Sequence, residues 1–312
     1  MQTVLVTGGA GFLGATLAAR LAAEGARVRV LDAMLPETGA NQFNLAGVAH
    51  EFHQLDLRTD DLGPAVAGVD VVFDCAAQTS HMGSQADPQG DLAHNADARL
   101  RLILALRQAA PSAKVVYAST RQLYGRAQYQ PVDEAHPVQP PDANAVSKWA
   151  AEQYWLLEHK VHGRHVTALR LTNCYGPRLR VKDARQTFLG IWIRRVIERE
   201  PFEVWGGDQR RDLAHADDVA EAFVRALDPA CAGKVFNVGG SPPVSLRQLA
   251  EMTGGDFVQR GFPPDRAKID IGDLTLSDAA FRAATFWAPR VALQDGLDAT
   301  LAYYRRNLAH YL

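Results

Sequence analysis

Through the first 171 residues of this 312-residue chain, short apolar runs alternate with longer segments whose apolar positions recur every three or four residues. Val4, Leu5 and Val6 read as a strand buried on both faces, and 12–23 sets Leu13, Leu17 and Leu21 along one side of a helix. The next strand is 27–31, and a third ends before Asp56. An apolar run at 69–73, a helix over 91–109 and a strand at 114–118 follow. After a Pro-rich loop come a helix over 144–160 and a strand at 166–171. Strands separated by helices pair in parallel through right-handed crossovers, so this half predicts a doubly wound α/β sheet. Beyond 171 the alternation loosens into a helix near 187–200, short strands near 202–205 and 235–238, and a helix from 245. The expected organisation is a sheet domain over 1–171, to which the chain returns around 206–238, and a smaller C-terminal lobe over 172–312.

The loop between the first strand and helix gives the sheet a function. Gly8-Gly9-Ala10-Gly11-Phe12-Leu13-Gly14 spaces glycines three apart from Gly8 to Gly14. Such a loop turns tightly, lets a pyrophosphate approach the backbone, and packs the helix on the strand, while the helix N-terminus offers free N–H groups to phosphate. This predicts a Rossmann-type dinucleotide site. Asp32 ends the second strand, where a carboxylate accepts hydrogen bonds from the adenosine ribose. Ala33 beside it offers no cation to a 2′-phosphate, which favours NAD. Asp56 and Leu57 are placed to hold the adenine edge.

Composition changes this picture little. With 33 Lys+Arg against 35 Asp+Glu the net charge is -2, which gives no electrostatic reason to bind nucleic acid or an anionic membrane. The three cysteines, Cys75, Cys174 and Cys231, have no zinc-site spacing. No signal-peptide pattern follows Met1, and no apolar stretch reaches the ~20 residues of a membrane span. A cytoplasmic protein is expected.

Six segments then carry a resemblance: TGGAGFLG at 7–14, CAAQTS at 75–80, ASTRQLYG at 118–125, LRLTNCYGPR at 169–178, RRDLAHADDVA at 210–220 and VFNVGG at 235–240. In order and spacing the chain resembles the extended short-chain dehydrogenase/reductases that act on nucleotide sugars, including epimerases, 4,6-dehydratases and decarboxylases. The resemblance implies an NAD-dependent enzyme of nucleotide-diphosphate sugars and a homodimer. It implies that the helices over 91–109 and 144–160 pair across the dimer, with Leu100, Leu104 and Trp155 as apolar contacts. Ala76, Ala77 and Gln78 would line the cofactor, the loop at 79–84 with Ser84 would face the sugar, and Thr120 would bind the hydroxyl being oxidised, with Ser119 as the alternative.

The chain departs from the family at one position. The resemblance places a catalytic Tyr-x-x-x-Lys pair at the start of the helix after the fifth long strand. Lys148 is present, but Asn144 stands where the tyrosine belongs. The lysine's charge in such sites holds the nicotinamide ribose and lowers the tyrosine's pKa. An asparagine has no proton-accepting form near neutral pH, although it can orient a hydroxyl. Hydride chemistry therefore needs another base. The candidates are His81, whose ordinary pKa of about 6.5 suits the task, Lys148 itself, and Tyr124.

On the substrate side the resemblance assigns Asn173 and Arg211 to the diphosphate, and Arg266 offers a further cation. The basic loop containing Arg178, Arg180, Lys182 and Arg185 is a candidate for recruiting an anion, either a diphosphate or a sugar carboxylate. Arg121-Gln122 replaces the Asp-Glu pair of the dehydratases, and water elimination needs an acid and a base there. C4 epimerisation through a transient 4-keto intermediate is therefore the leading expectation. A decarboxylase or dehydratase initiated by C4 oxidation is one alternative, and a non-catalytic NAD and nucleotide-sugar binding protein is the other.

Overall fold

A computed structural model describes residues 1–36, 38–183 and 187–312, with only the backbone at 265 and 266. Its centre is a seven-stranded parallel sheet. The strands are β1 (Thr3–Thr7), β2 (Arg27–Leu31), β3 (Glu51–His53), β4 (Val71–Asp74), β5 (Lys114–Thr120), β6 (Val166–Leu171) and a last strand, Lys234–Val238. From one edge the order is Lys234–Val238, β6, β5, β4, β1, β2, β3. The chain winds outward from β1 to β3, then crosses back to β4 on the other side. That reversal opens a crevice beyond the carboxyl ends of β1 and β4, where open parallel sheets bind ligands.

Both faces of the sheet are covered, so β4 and β6 are buried at every position. On one face Leu17, Val28, Phe73 and Phe223 join the helices Phe12–Ala23 and Ala216–Arg225. On the other, Leu102, Leu106 and Trp155 join Ala98–Ala109 and Ala143–His162. A third core of Trp192, Phe202, Leu249, Leu301 and Tyr304 builds the C-terminal lobe and includes Phe12 from the glycine-loop helix. Among the described residues no helix is long and apolar enough to cross a membrane.

Several elements differ from expectation in ways that shape the site. The helix expected from 91 begins at Pro88, with Asp87 capping the Gly90 N–H, and passes through a π-helical turn at Ala93–Asp97 before Ala98–Ala109. That wider turn brings Asn95 to Gln78, whose backbone it bonds at both N–H and carbonyl (3.1 Å each). β5 runs two residues further than expected, which makes Thr120 its last residue. The helix Leu293–Asn307 was not anticipated, although Leu293, Leu297, Leu301 and Tyr304 bury one face at helical spacing. Trp155 cannot serve at a dimer surface, because it is fully buried and donates its indole N–H to Asp74 (3.0 Å).

Asp74, at the end of β4, is completely buried. It accepts from the Thr7 hydroxyl (2.7 Å), from Arg99 at two nitrogens (3.2 Å each) and from Trp155. A buried ion pair adds little net stability, but removing one partner strands a charge at a cost of about 3–5 kcal/mol. D74A is expected to lose about that much in chemical denaturation, and a loss under about 1 kcal/mol, the scale of an exposed pair, would refute the role.

Candidate functional site

The crevice is a groove lined by Gly8, Gly11, Phe12, Leu13, Gly14, Asp32, Asp56, Leu57, Ala76, Ala77 and Gln78, with His81, Thr120, Asn144, Lys148 and Asn173 on its inner side. Gly8 has φ of +63°, and a Cβ there would sit 2.6 Å from the Ala76 Cα. A Cβ on Gly14 would fall 2.2 Å from the Gly8 carbonyl oxygen. Only glycines allow these approaches. Gly11 starts the helix without a capping side chain, and no acidic residue occupies the first turn, so its N-terminal N–H groups remain open to a pyrophosphate.

Asp32 is held by the N–H groups of Ala10 (3.1 Å) and Met34 (2.9 Å). Burial raises its pKa and these two bonds counter the rise. Each carboxylate oxygen keeps a lone pair for a ribose hydroxyl. The cradle therefore fits a dinucleotide without a 2′-phosphate. Asp56 is clamped by Arg58, which bonds both its oxygens, so the carboxylate is pulled below its ordinary range and helps fix the loop that carries Leu57.

Deeper in the groove, the Lys148 Nζ donates to the Ala118 carbonyl (2.9 Å) and lies 5.2 Å from the centre of the Tyr117 ring. Burial, reinforced by nearby Arg99, lowers its pKa to about 8. The Thr120 hydroxyl accepts from the Gln122 N–H (3.2 Å) and keeps its own proton to donate. Ser119 is already committed, since its hydroxyl donates to Glu152 (2.6 Å), itself paired with Arg170. Tyr124 lies in the core, donating to Asn237 (2.7 Å) and accepting from Arg170 (3.0 Å). Burial raises its pKa, and it lines neither this groove nor the cavity beyond.

Asn144 is 2% exposed. Its amide donates to the Gln78 carbonyl (2.8 Å) and to Asp91 (3.0 Å), and Asp91 also accepts from Gln78 (3.0 Å) and Asn95 (3.1 Å). Both amide hydrogens are thus spent on fastening the helix Ala143–His162 to the cofactor-lining segment. A second cavity of about 1010 Å³ adjoins the groove. Ser80, His81, Asn173 and Thr187 line both spaces. His81 opens the helix His81–Ala86, and its Nδ1 lies 2.8 Å from Asp142 Oδ2, at ion-pair distance but off the hydrogen-bond direction. Burial raises the Asp142 pKa, but His81, the Ala145 N–H and Gln122 together hold it below its ordinary value.

A family model described as the NAD dependent epimerase/dehydratase family matches residues 4–239. The chain belongs to that family. A UDP-glucose 4-epimerase of Mycolicibacterium smegmatis is 32% identical over 97% of this chain and 98% of its own length. A dTDP-glucose 4,6-dehydratase of Streptomyces niveus is 31% identical over 98% of this chain and 94% of its own. Among solved structures, the Thermus thermophilus UDP-glucose 4-epimerase complexed with NAD superposes with a TM-score of 0.85 at 29% identity, covering 97% of this chain and 99% of that one. NAD is the family's cofactor, and the cradle from Gly8 to Gly14 with Asp32 fits it.

The structure revises several expectations about the substrate side. Ser84 is fully buried with its hydroxyl donating to the His81 carbonyl (2.7 Å), so it braces the His81 turn instead of facing a sugar. Arg211 lines the second cavity, but Asp270 (3.2 Å) and the Gly272 carbonyl (2.8 Å) hold it. Two cations of the basic loop are engaged inside the protein: Arg178 donates to the Asn44 carbonyl (3.0 Å), and Arg180 pairs with Asp183 (2.6 Å). Arg185 lies outside the described residues, as does the side chain of Arg266.

Sequence reasoning missed Asp74, Asp91, Asp142 and Arg99. Asp142 carried a signal, because an Asp just before a helical run is an N-cap, and it accepts from the Ala145 N–H (2.7 Å). The other three act through tertiary contacts. With its lowered pKa, Lys148 loses its proton as pH rises through about 8. NAD affinity, measured by titration calorimetry, is expected to hold steady below that pH and fall severalfold above it. K148R, which stays charged, should remove that dependence, and an unchanged profile would refute the clamp.

Proposed function

We propose that the protein is an NAD-dependent nucleotide-sugar epimerase acting at C4, with His81 as the catalytic base in place of the missing tyrosine. The carrying observation is that His81 lines both the cofactor groove and the second cavity, with buried Asp142 at its Nδ1. A carboxylate at one ring nitrogen favours the tautomer that leaves the other free to accept a proton, and it stabilises the imidazolium that forms.

NAD supplies a reversible hydride acceptor when bound. Thr120 donates to the sugar hydroxyl and orients it, while His81 Nε2 takes its proton as the C–H bond is oxidised. Lys148 holds the nicotinamide ribose by charge. After the ketone turns over in the larger cavity, His81 returns the proton and the inverted alcohol is released. No net oxidation remains. Relatives named as an epimerase and a dehydratase are about equally similar to this chain, so the reading rests on the local chemistry. Arg121 is bonded to Asn173 (2.9 Å), and Gln122 to Asp142 (3.2 Å). Neither supplies the acid and base that water elimination requires.

The same reading includes a homodimer. Val146, Trp149, Leu157 and Val161 are exposed along one face of Ala143–His162, and Leu104 is exposed on the neighbouring helix. Light scattering is expected to give twice the chain mass, and L157E should give a monomer. A monomeric wild type would refute the pairing.

H81Q is expected to lose turnover by about 100-fold or more, the usual weight of a general base, while keeping its NAD affinity. The reaction is read by NMR of nucleotide-sugar products in deuterated water, where direct hydride return leaves no deuterium on carbon. N144Y should lower both activity and melting temperature, because a phenol does not fit the closed amide network. A large gain in turnover for N144Y would instead identify a binding protein that has lost its base.

A further inference from the structure

Arg121 is 8% exposed, and among the described residues it makes no ion pair. Its Nη2 donates to Asn173 Oδ1 (2.9 Å), while Nη1 is buried without a hydrogen-bond partner. The bond leaves Asn173 Nδ2 buried and unpartnered as well. Turning the amide round does not cure this, since it would set an N–H₂ against the guanidinium. Two adjacent buried donors, one of them cationic, therefore await an acceptor, and both residues line the second cavity.

The surrounding charges are already spent. Asp212, which faces Arg121 across a longer gap, accepts from the Thr172 hydroxyl and the Leu276 N–H. Asp270 is taken by Arg211 and the Gly272 N–H. Arg195, the remaining arginine of this cavity, pairs with Glu200. Arg121 is thus the cavity-lining arginine without an acidic partner among the described residues. Burial lowers its pKa to about 10, which still leaves it charged at neutral pH.

We infer that Arg121 and Asn173 form a carboxylate-reading site, with Asn173 turned from the diphosphate role that the resemblance assigned it, so that the preferred substrate is a nucleotide sugar whose sugar is a uronate. The inference rests on the nucleotide-sugar reading above and names its substrate class. Arg121 follows Thr120 directly in the chain, and Thr120 is assigned to the reacting carbon, so the guanidinium is anchored on the sugar side of the site. A guanidinium fork beside an amide N–H₂ suits the paired oxygens of a carboxylate. A diphosphate offers similar oxygens, and the experiment separates the two.

Titration calorimetry on the NAD-loaded protein would compare UDP-glucuronate, UDP-glucose and UDP. UDP-glucuronate is expected to bind at least about tenfold tighter than UDP-glucose, the scale of a charge-assisted hydrogen bond. R121Q should remove that preference while changing the affinities for UDP-glucose and UDP by less than about threefold. An equal loss for all three ligands would assign the arginine to the diphosphate and overturn the inference, as would a wild type with no preference for the uronate. If R121Q does not fold, R121K carries the test, since it keeps a point charge without the fork and should weaken only the uronate. Because these are binding equilibria, failure of the epimerase reading shows separately, as an intact uronate preference without any C4-inverted product.

Discussion

The structure turns on the Asp74 carboxylate. One buried side chain at the end of β4 ties β1 through Thr7, the helix Ala98–Ala109 through Arg99, and the helix Ala143–His162 through Trp155. Thr7 passes the constraint on, since its oxygen also accepts from the Ala76 N–H (3.2 Å). The segment that lines the cofactor and the helix that carries Lys148 are thereby referred to the same carboxylate, one at each oxygen. A buried charge tolerates little displacement, because losing any partner exposes it to the low dielectric of the core. The placement of the groove residues is thus a consequence of electrostatic satisfaction in the sheet.

A second polar network fixes Asn144. Asn144, Gln78, Asp91 and Asn95 close on one another, and the π-helical turn at Ala93–Asp97 is what lets Asn95 reach Gln78. The Asn144 amide ties the start of its helix to the groove wall at Gln78. The same helix start presents Asp142, two residues earlier, both as its own N-cap and as the neighbour of His81. The proposed base thus sits beside the N-terminus of the helix that carries Asn144.

The lobe and the sheet share residues. Phe12, the first residue of the glycine-loop helix, packs into the lobe core. The short strand Leu213–His215 pairs with Asn173–Tyr175 directly after β6. Asn173 therefore stands at the seam, and the cavity gains the polar groups of both parts. Among the described residues most of the cations there are paired within the protein.

The sequence by itself determined the sheet, the dinucleotide loop and the family. Strand and helix periodicities are local, and the roles of Gly8, Gly14 and Asp32 follow from position in a strand–turn–helix unit. Lys148, Asn144 and Thr120 were singled out only through the resemblance of their segments to the family's motifs. What only the tertiary structure decided was which polar groups are free. Nothing near Ser84 in the chain shows that it faces inward, and nothing near Arg211 shows that Asp270, 59 residues later, holds it. The union of Asp74 with Arg99 and Trp155, the placing of Asp142 beside His81, and the open donors of Arg121 and Asn173 depend on contacts between distant segments. Sequence periodicity reports which face of an element is apolar, whereas hydrogen-bond satisfaction is a property of the packed whole.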